Sequence, residues 1–325
     1  MASESLPRVS VIIPVYNQAE FIVAAVDSVL DQDYPSLDLV VVDDGSTDAT
    51  PRLLAEHGGA FKVLRQPNRG AAAALNRGIR ESRGELVCWL SADDLFLPGK
   101  VRRQVEAFAE DVRIGLVYTG YERIDAHGRT IAVLASPLPA HPDPFTMVFW
   151  RNSINGSSVM VRREVFDTCG PFDESLRADV DADMWLRVTQ AYLVRRIDGV
   201  YIKYRIHANT LSANQPLMVS SMTEVRRRFL RSGELRHRLT TRGEPQPARL
   251  LAWMAADFAT QGLTELGKEL LEEARAAGKD PAAHLLADWT IRLTDAARCS
   301  RPAAIATRPL RSGIDRVRGA FTPPA

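Results

Sequence analysis

Cysteine is scarce in this sequence, and the few cysteines are scattered. Cys88, Cys169 and Cys299 lie far apart, and no two of them have the C-x-x-C spacing. An odd number of widely spaced thiols fits neither a disulfide framework nor a zinc site. The pattern is typical of proteins in a reducing compartment, and we therefore predict a cytoplasmic location.

Long hydrophobic runs are also missing. No stretch of about 18 uncharged apolar residues occurs, which is the length that a membrane-spanning helix needs. The residues from Met1 to Arg8 contain no apolar segment of the kind found in signal peptides. We expect a protein without a membrane span, held at most peripherally at the inner face of a membrane.

Neither sign of charge is in excess. The 41 Lys and Arg residues balance the 40 Asp and Glu residues, which leaves a formal net charge of +1. This balance argues against a general nucleic-acid binder, and we expect no nucleic-acid partner. The chain of 325 residues, 46% of them hydrophobic, is long enough for one large domain with a core and a smaller appendage.

What the sequence does contain, from Val9 to about Gly120, is a regular alternation of short apolar runs with amphipathic stretches. Such alternation predicts successive βα units and hence an α/β fold, with a Rossmann-like mixed, mainly parallel sheet flanked by helices. The predicted strands are Val9–Ile13, Leu37–Asp43, Phe61–Leu64, Glu85–Leu90 and Gly115–Tyr118. The predicted helices are Glu20–Asp31, Thr47–His57, Ala71–Ser82 and Gly99–Glu110.

The pattern becomes less regular after this first part. We interpret 124–144 as a hairpin and loop, 146–160 as a loop entering a strand, 179–192 as a helix and 194–204 as one or two closing strands. Only helical patterns follow Asn214, and they predict a C-terminal helical appendage at 222–239, 247–261, 263–277 and 281–294. We therefore divide the chain into a catalytic domain at 1–214, a helical region at 215–300 and a basic, flexible tail at 301–325.

Two pairs of adjacent carboxylates follow predicted strands. Asp43 and Asp44 come directly after one apolar run, and Asp93 and Asp94 follow another after two residues. Ligands of open α/β sheets bind beyond the carboxyl ends of the strands. A divalent cation such as Mg²⁺ or Mn²⁺ would offset the repulsion within such a pair. Alternatively, the first pair caps a helix in a tight turn, and the second lies in a loop before a helix.

The end of the first strand carries an aromatic side chain. Tyr16 follows Pro14 and precedes Asn17 at the point where the chain leaves the predicted sheet. An exposed aromatic ring at a strand end is suited to stacking on a flat base, whereas a simple turn before a helix would leave a large aromatic side chain without a role.

Taken together, the motifs of the first two thirds of the chain resemble the family 2 glycosyltransferases, which adopt the GT-A fold. The resemblance covers about residues 8 to 212 and depends on the joint order and spacing of the motifs. They are Pro14-Val15-Tyr16-Asn17, Asp43-Asp44-Gly45-Ser46-Thr47-Asp48, Asn68-Arg69-Gly70, Ser91-Ala92-Asp93-Asp94, Gly170-Pro171-Phe172-Asp173-Glu174, Asp181-Ala182-Asp183-Met184-Trp185-Leu186-Arg187 and Tyr204-Arg205-Ile206-His207.

The resemblance implies a set of residues that bind the donor and a metal. Asp44 would be the main contact to the nucleobase, and Asp93 and Asp94 stand where the family has its metal-binding D-x-D signature, although Ser91 takes the place of its first aspartate. Mn²⁺ or Mg²⁺ would be held by Asp93, Asp94 and His207; alternatively, His207 is a surface residue of an edge strand. The residues implied to bind the donor nucleotide are Pro14, Tyr16, Asn17, Asp43, Asp44, Asn68, Gly70, Ser91 and Asp93.

The resemblance also implies a catalytic base and an acceptor side. Asp181 aligns with the family's general base, although Val180 replaces the glutamate that usually precedes it. Alternatively, the charge of Asp181 complements the dipole at a helix N-terminus, a role that Asp183 would fill equally well. Trp150, Asp183 and Trp185 would lie on the acceptor side, and the alternative for Trp185 is packing in the core.

We therefore predict an inverting, hexosyltransferase-like enzyme of the kind used in polysaccharide biosynthesis. It would move a sugar from a nucleotide-diphosphate donor to a hydroxyl of a glycan, a lipid-linked saccharide or a small acceptor. UDP-sugars are the commonest donors in the family, and dTDP- or GDP-sugars are alternatives. The rival functions are a nucleotidyltransferase, which would be expected to have a Gly-rich phosphate loop after the first strand, and a non-catalytic nucleotide-sugar-binding protein.

A cluster of arginines lies in the helical region. A solvated or internally paired helix face is the common outcome for such a cluster, and a docking surface for anionic lipid headgroups is the alternative. The C-terminal helices could also form a homo-oligomer interface. The arginines concerned are Arg226, Arg227, Arg228, Arg231, Arg236 and Arg238.

Overall fold

The computed structural model describes residues 6–134, 143–208 and 210–299. The chain divides into two compact units, the first ending at Leu217 and the second beginning at Met218. The predicted tail at 301–325 and part of the predicted loop at 124–144 lie outside the described residues. No helix within the described ranges is both long enough and apolar enough to cross a membrane.

The first unit is built around one mixed sheet. Its strands are β1 (Val9–Val15), β2 (Leu37–Asp43), β3 (Lys62–Arg65), β4 (Leu86–Trp89), β5 (Leu95–Phe96), β6 (Ile114–Ile124), β7 (Thr130–Leu134), β8 (Val159–Arg162) and β9 (Leu193–Arg205). They follow the order β3-β2-β1-β4-β8-β6-β9-β5, and β7 pairs with β6. The first four strands are parallel to one another, as the alternating pattern predicts.

The second half of the sheet mixes directions. β8 runs antiparallel between β4 and β6, whereas β6 and β9 run parallel. The helices of this unit are α1 (Ile22–Leu30), α2 (Thr50–Glu56), α3 (Ala71–Glu81), α4 (Lys100–Phe108), α5 (Pro144–Trp150), α6 (Glu164–Cys169) and α7 (Val180–Ala191).

Close packing between α3 and the sheet fixes the loop that precedes this helix. A Cβ atom at Gly78 would lie 2.4 Å from Cγ2 of Ile12, so only glycine allows this approach of α3 to β1. On the other face, Ile22, Val26 and Val29 of α1 pack into the core. The strands are therefore held from both sides, and their carboxyl ends form a rigid edge.

The second unit consists of helices. They are α8 (Gln215–Arg231), which begins just before the division, α9 (Glu234–Thr241), α10 (Pro247–Thr260), α11 (Thr264–Ala277) and α12 (Pro281–Cys299). The prediction of one helix over 222–239 is wrong, because the chain breaks between α8 and α9 at Gly233, which has a φ of +76°.

A second correction concerns 146–160, which we expected to be a loop entering a strand. Residues 146–150 of this range belong to the helix α5 instead. Asp143 caps this helix by accepting a hydrogen bond from the backbone N–H of Thr146, and Pro144 occupies the first turn. A short 3-10 turn at Gly156–Ser158 then leads into β8.

Candidate active site

Asp44 organises the loop that lies beyond the end of β2. Its Oδ1 accepts hydrogen bonds from Nε2 of Gln66 at 2.8 Å and from the backbone N–H of Arg69 at 3.0 Å. Its Oδ2 accepts from the backbone N–H of Gly70 at 2.7 Å. Because a carboxylate offers about four acceptor positions, Oδ2 retains one for a ligand.

The neighbouring Asp43 is almost fully buried, at 1% exposure. Its Oδ1 accepts a hydrogen bond from the backbone N–H of Ser46 at 2.8 Å. Its Oδ2 has no hydrogen-bond partner among the described residues, although Nε of Arg65 lies 3.4 Å away. Each member of this acidic pair therefore keeps an acceptor position at the sheet edge.

Tyr16 and Asn17 follow β1 and have different environments. Tyr16 is 45% exposed, which leaves its ring open to a planar ligand. Asn17 has a φ of +52°, and its Oδ1 accepts a hydrogen bond from the backbone N–H of Thr47 at 2.7 Å. Its own backbone N–H donates to Oγ of Ser46 at 2.9 Å. Asn17 thus shapes the loop after β2.

Gly45 lies too close to the neighbouring 66–68 backbone to carry a side chain. A Cβ atom there would lie 2.8 Å from the backbone nitrogen of Asn68, and the φ of Gly45 is +82°. The exposed Asn68 and the half-buried Gly70 follow in the same segment. The segment is therefore held against the end of β2 both by Asp44 and by the missing side chain at Gly45. Pro14, within β1, is half-buried.

Asp93 and His207 meet at the same edge of the sheet. Oδ2 of Asp93 lies 3.0 Å from Nε2 of His207, and their side chains are 13% and 9% exposed. Within the described ranges, no group of three or more His, Cys, Asp or Glu side chains could by itself hold a metal ion. A pair of one carboxylate and one imidazole fits an ion that takes its remaining ligands from phosphate oxygens and water.

Asp94 faces the interior instead. It is completely buried, its Oδ1 accepts from the backbone N–H of Arg205 at 2.9 Å, and its Oδ2 accepts from Oγ of Ser157 at 2.6 Å. Burial, followed by the charge of Asp93, raises the pKa of Asp94 well above its usual value. Asp94, which we expected in the metal set beside Asp93, thus has both carboxylate oxygens engaged within the protein and fixes the chain around Asp93.

Arg205 holds the same segment from the end of β9. Its Nε donates to the carbonyl oxygen of Asp93 at 2.8 Å, and its guanidinium carbon lies 4.7 Å from the ring centroid of Phe21. The same ring lies 5.0 Å from the ring of His207. The buried Arg205 and Phe21 therefore set the positions of Asp93 and His207. Sequence reasoning had assigned Arg205 no role.

Ser91 completes this segment in place of the first aspartate of the D-x-D signature. Its backbone N–H donates to Oγ of Ser157 at 3.1 Å. Ser157 thereby connects the segment after β4 with the 3-10 turn before β8, because its hydroxyl also donates to Asp94.

Asp181 lies in the first turn of α7 and is half-buried. Its Oδ1 accepts a hydrogen bond from the backbone N–H of Ala182 at 2.9 Å. Burial and the neighbouring charge of Asp179 together raise the pKa of Asp181 to about 7. Asp179 begins the helix with a φ of +57°, a strained conformation for a residue with a Cβ. A carboxyl group with this pKa is suited to accepting a proton at neutral pH.

The residues expected on the acceptor side have different environments. Trp185 is fully buried and stacks on Trp89, with 5.3 Å between ring centroids, and its Nε1 has no hydrogen-bond partner among the described residues. Asp183 is 4% exposed, and its Oδ2 accepts from Nη2 of Arg187 at 2.6 Å, which makes it a part of the helix framework. Trp150, at the end of α5, is half-buried.

The stacking of Trp185 on Trp89 does fix where Asp181 lies. Trp89 is the last residue of β4, immediately before the segment that carries Asp93. Asp181 precedes Trp185 by about one helical turn, so it lies over the same end of β4.

A second connection joins α3 to the segment before α7. Nδ2 of Asn76 donates to the carbonyl oxygen of Phe172 at 2.9 Å, and Oδ1 of Asn76 accepts from the backbone N–H of Phe172 at 2.9 Å. Nη2 of Arg69 donates to Oε2 of Glu174 at 2.8 Å. The loop held by Asp44 is thus attached to the chain that leads to Asp181.

The arginines of the second unit are mostly occupied within that unit. Arg226 is fully buried, and Arg231 is exposed. Internal pairing is therefore the main outcome for this cluster, as its commoner interpretation predicts. The ion pairs are Arg227 with Glu269, Arg228 with Glu224, Arg236 with Glu273 and Arg238 with Glu234.

Comparison with known sequences identifies related proteins. A family model described as glycosyl transferase family 2 matches residues 10–170. An uncharacterised glycosyltransferase of Rickettsia felis is 34% identical over 208 residues, 62% of this chain and 35% of the relative. An uncharacterised glycosyltransferase of Nostoc is 30% identical over 227 residues, 66% of this chain and 69% of the relative. The chain thus spans about a third of the first relative and just over two thirds of the second.

Comparison with solved structures identifies the fold. A mannosyltransferase from Pyrobaculum calidifontis, in complex with GDP-Man and Mn²⁺, matches with a TM-score of 0.59 and 24% identity, over 94% of this chain and 84% of that chain. TarS from S. aureus, in complex with UDP, matches with a TM-score of 0.54 and 18% identity, over 90% and 91%. The fold is the GT-A fold that the motifs predict.

Proposed function

Since the chain belongs to glycosyl transferase family 2, we propose that it is an inverting enzyme that moves a sugar from a nucleoside-diphosphate donor to an acceptor hydroxyl. The observation that carries this proposal is the meeting of Asp93 and His207, 3.0 Å apart, at the edge of the sheet over which Asp181 lies. A phosphate-binding pair and a carboxyl group with a raised pKa would then stand at the same end of β4, because the stacking of Trp185 on Trp89 anchors α7 to that end.

The donor's nucleoside binds beyond the ends of β1 and β2. The exposed ring of Tyr16 stacks on the base, and Asp44, with Asp43 beside it, accepts hydrogen bonds from the base. The loops around the nucleoside take their shape from Asn17, Asn68 and Gly70. The backbone beside the donor is shaped in the same way by Pro14, within β1, and by Ser91, after β4.

The diphosphate lies beside Asp93 and His207, which would hold a divalent cation together with the donor's phosphate oxygens. When bound, the cation neutralises the negative charge that develops on the leaving diphosphate. Asp94 and Arg205 keep Asp93 in place through their contacts with its segment. The Pyrobaculum mannosyltransferase contains Mn²⁺ together with GDP-Man, which supports a divalent cation here.

Asp181 acts as the general base. The acceptor oxygen bonds to the anomeric carbon, the bond from that carbon to the diphosphate breaks with its electron pair, and the hydroxyl proton passes to Asp181. Attack from the face opposite the leaving group inverts the anomeric configuration. The pKa of about 7 leaves a substantial fraction of Asp181 ionised at neutral pH, as a base requires.

The chemical class of the donor base follows from the relatives only in part. TarS binds UDP and the mannosyltransferase binds GDP-Man, so both nucleotides are candidates, and we propose a UDP-sugar first. We propose a glycan, a lipid-linked saccharide or a small hydroxylated molecule as the acceptor. We further propose that residues 1–214 form the transferase domain and 215–300 a separate helical region, in keeping with the division after Leu217.

The decisive experiment measures release of free nucleoside diphosphate from a panel of UDP-, GDP- and dTDP-sugars, with and without Mn²⁺. We expect one donor class to be turned over with Mn²⁺ and little without it. Proton NMR of a transferred product reports the anomeric configuration. Absence of turnover for every donor, while UDP and GDP also fail to bind, would contradict the proposal.

The roles of Asp93 and His207 are tested by Asp93→Asn and His207→Ala. We expect both to weaken Mn²⁺-dependent binding of the nucleoside diphosphate by at least tenfold, measured by calorimetry. Asp33→Asn is the matched control, because the Asp33 side chain is 90% exposed and precedes the start of β2, at the opposite end of that strand from Asp43 and Asp44. Equal losses in the control and the site variants would remove this assignment.

A further inference from the structure

The helix α8 borders a cavity in the second unit that the proposed function does not use. This cavity is partly open to solvent and has a volume of about 600 Å³, within the range of about 300–1,000 Å³ that is common for small-molecule sites. The residues proposed to bind the donor precede the division after Leu217, whereas the cavity follows it. The described residues that line it all belong to α8 and are Ser220, Thr223, Glu224, Arg227, Arg228 and Arg231.

The lining residues form one continuous face of α8. Each of them has another member of the set three or four positions away, and side chains at this spacing are neighbours on a helix surface. The hydroxyl side chains come first along this face, the carboxylate of Glu224 follows, and the guanidinium groups come last. The cavity therefore has a basic end at the C-terminal half of α8.

The lining has an excess of positive charge. Its three guanidinium groups and one carboxylate leave a net charge of +2, and Glu269 of α11, which pairs with Arg227, reduces this charge to +1. Such an excess suits a single phosphate group, which as a monoester carries a charge of about −1.5 to −2 at neutral pH. A nucleic acid would need a longer basic surface for its successive phosphates.

The three arginines differ in how firmly they are held. Nε and Nη2 of Arg227 both contact Oε1 of Glu269, at 2.8 and 2.6 Å, which fixes this guanidinium group in place. The exposed Arg228 pairs with Glu224 one turn away, and an exposed pair of this kind is weak enough for an anion to compete with it. Arg231 is exposed and forms no ion pair within the described ranges.

From this geometry we infer that the cavity beside α8 binds a phosphate ester through the guanidinium groups of Arg228 and Arg231. The planar guanidinium group donates two parallel hydrogen bonds to phosphate oxygens, which makes arginine well suited to this anion. The cavity is many times larger than the roughly 30 Å³ that one water molecule occupies, so it has space for the organic part of the ester. That ester is a soluble small molecule or the headgroup of a phospholipid.

Two binding measurements on the full chain separate these sources. UDP or GDP with Mn²⁺ is present in excess, so that the proposed donor site is occupied. Calorimetry measures binding of glycerol 3-phosphate, and sedimentation measures binding to phosphatidylcholine vesicles with and without phosphatidic acid. Binding of glycerol 3-phosphate identifies a soluble ester, and binding only to the vesicles that contain phosphatidic acid identifies a headgroup. Absence of binding in both measurements overturns the inference.

Three substitutions assign the binding to the cavity. Arg228→Gln and Arg231→Gln should each weaken it about tenfold, because each removes a charge-assisted hydrogen bond. Glu224→Gln should strengthen it about twofold or more, because the variant releases Arg228 and removes a negative charge from the lining. A gain in affinity cannot result from misfolding, and a loss in Glu224→Gln contradicts the assignment.

Arg292→Gln is the matched control. Arg292 is exposed on α12 and pairs with Asp288 one turn away, as Arg228 does with Glu224, but it does not line the cavity. The control should bind the ester as the wild type does, and thermal unfolding should show that all four variants are folded. An equal loss in Arg292→Gln would show that binding follows only the overall charge, and this result, or unchanged binding in Arg228→Gln and Arg231→Gln, overturns the inference.

Discussion

At the scale of single residues, the two acidic pairs show how burial assigns different roles to chemically identical neighbours. Asp94 is enclosed and uses both oxygens on Arg205 and Ser157, whereas Asp93 faces His207. A buried carboxylate needs such hydrogen bonds to offset its desolvation. The interior carboxylate therefore fixes the backbone, and its neighbour is left to contact a ligand.

The raised pKa of Asp181 leads to a prediction about how stability depends on pH. Its pKa of about 7, against 3.8 for the ordinary group, means that the folded protein holds a proton between those values that the unfolded chain has lost. The contribution of this group to stability is therefore full below pH about 4 and falls as the pH rises towards about 7. We expect Asp181→Asn to raise the unfolding free energy at pH about 8 by more than at pH about 4.

Urea denaturation of both proteins at the two pH values measures this difference. The same variant should lose transfer activity by about 10²–10⁴-fold, the usual contribution of a general base. Greater stability together with lower activity is the expected trade-off for a buried charged base. A stability difference independent of pH would show that Asp181 titrates normally in the folded protein.

Trp185 provides a second prediction at this scale. Because it is fully buried and stacked on Trp89, Trp185→Ala should lower the unfolding free energy by about 3–5 kcal/mol. Trp185→Phe should cost less and leave the rate of sugar transfer unchanged. Thermal unfolding and the assay of nucleoside diphosphate release give the two values. Loss of transfer in a stably folded Trp185→Phe that still binds the donor would return this residue to the acceptor side.

Sequence alone could identify these residues as candidates but could not separate their roles. Adjacent aspartates look alike in a sequence, and the difference between Asp93 and Asp94 arises from contacts with residues more than 60 positions away. Trp185 occupies a motif that resembles an acceptor-side segment, and only the packing on Trp89 places it in the core.

At the scale of elements, the loop after β2 depends on one close approach. Gly45 and Gly128 both have a φ of +82°, but a Cβ at Gly45 would lie 2.8 Å from the backbone of Asn68, and a Cβ at Gly128 would meet nothing within 4 Å. We expect Gly45→Ala to weaken nucleotide binding and to destabilise the protein more than Gly128→Ala does. Both carry the cost of the left-handed conformation, about 1–3 kcal/mol.

The prediction is tested by measuring the affinity of both variants for UDP or GDP by calorimetry and their stability by thermal unfolding. The difference between the two substitutions isolates the clash with Asn68, because the backbone conformation is matched. Equal affinity for nucleotide in both variants would mean that the 66–70 segment is not needed for the donor.

The elements that sequence reasoning predicted well are those with clear periodicity, such as β2, whose bounds of Leu37–Asp43 match the prediction. It failed for α5, because Pro144–Trp150 is short and apolar on nearly all sides, so no helical period is visible. It also joined α8 to α9, since the arginines continue across the break at Gly233 and conceal it.

At the scale of the whole molecule, the buried Lys100 affects the pH dependence of stability. It is fully buried, its Nζ donates to Oε1 of Gln104 at 2.7 Å, and it lies 4.1 Å from the ring centroid of Phe96. Burial lowers the pKa of Lys100 from 10.5 to about 8. Between these values the unfolded chain binds a proton that the folded protein does not, so stability rises with pH.

We expect the wild-type unfolding free energy to gain about 2–3 kcal/mol from this group between pH about 8 and pH about 10.5. Lys100→Met should remove that gain. Urea denaturation of both proteins across this range tests it through the difference between their two curves, because other buried groups oppose the trend in both proteins. The pKa values of Cys88, Cys169, Tyr34, Tyr118 and Tyr204 are raised by burial, and each of these groups lowers stability as the pH rises. Parallel curves for both proteins would show that Lys100 remains protonated when folded.

The attachment of α3 to the segment before α7, through Asn76 with Phe172 and Arg69 with Glu174, gives the first unit a thermodynamic property. In the proposed function the 66–70 segment binds the nucleotide, and these hydrogen bonds transmit its movement to the segment that leads to Asp181. Occupancy of one subsite should therefore change affinity at the other, and by linkage the factor must be the same in both directions. Binding of either substrate would then change the affinity of the protein for the other, through the contacts of α3.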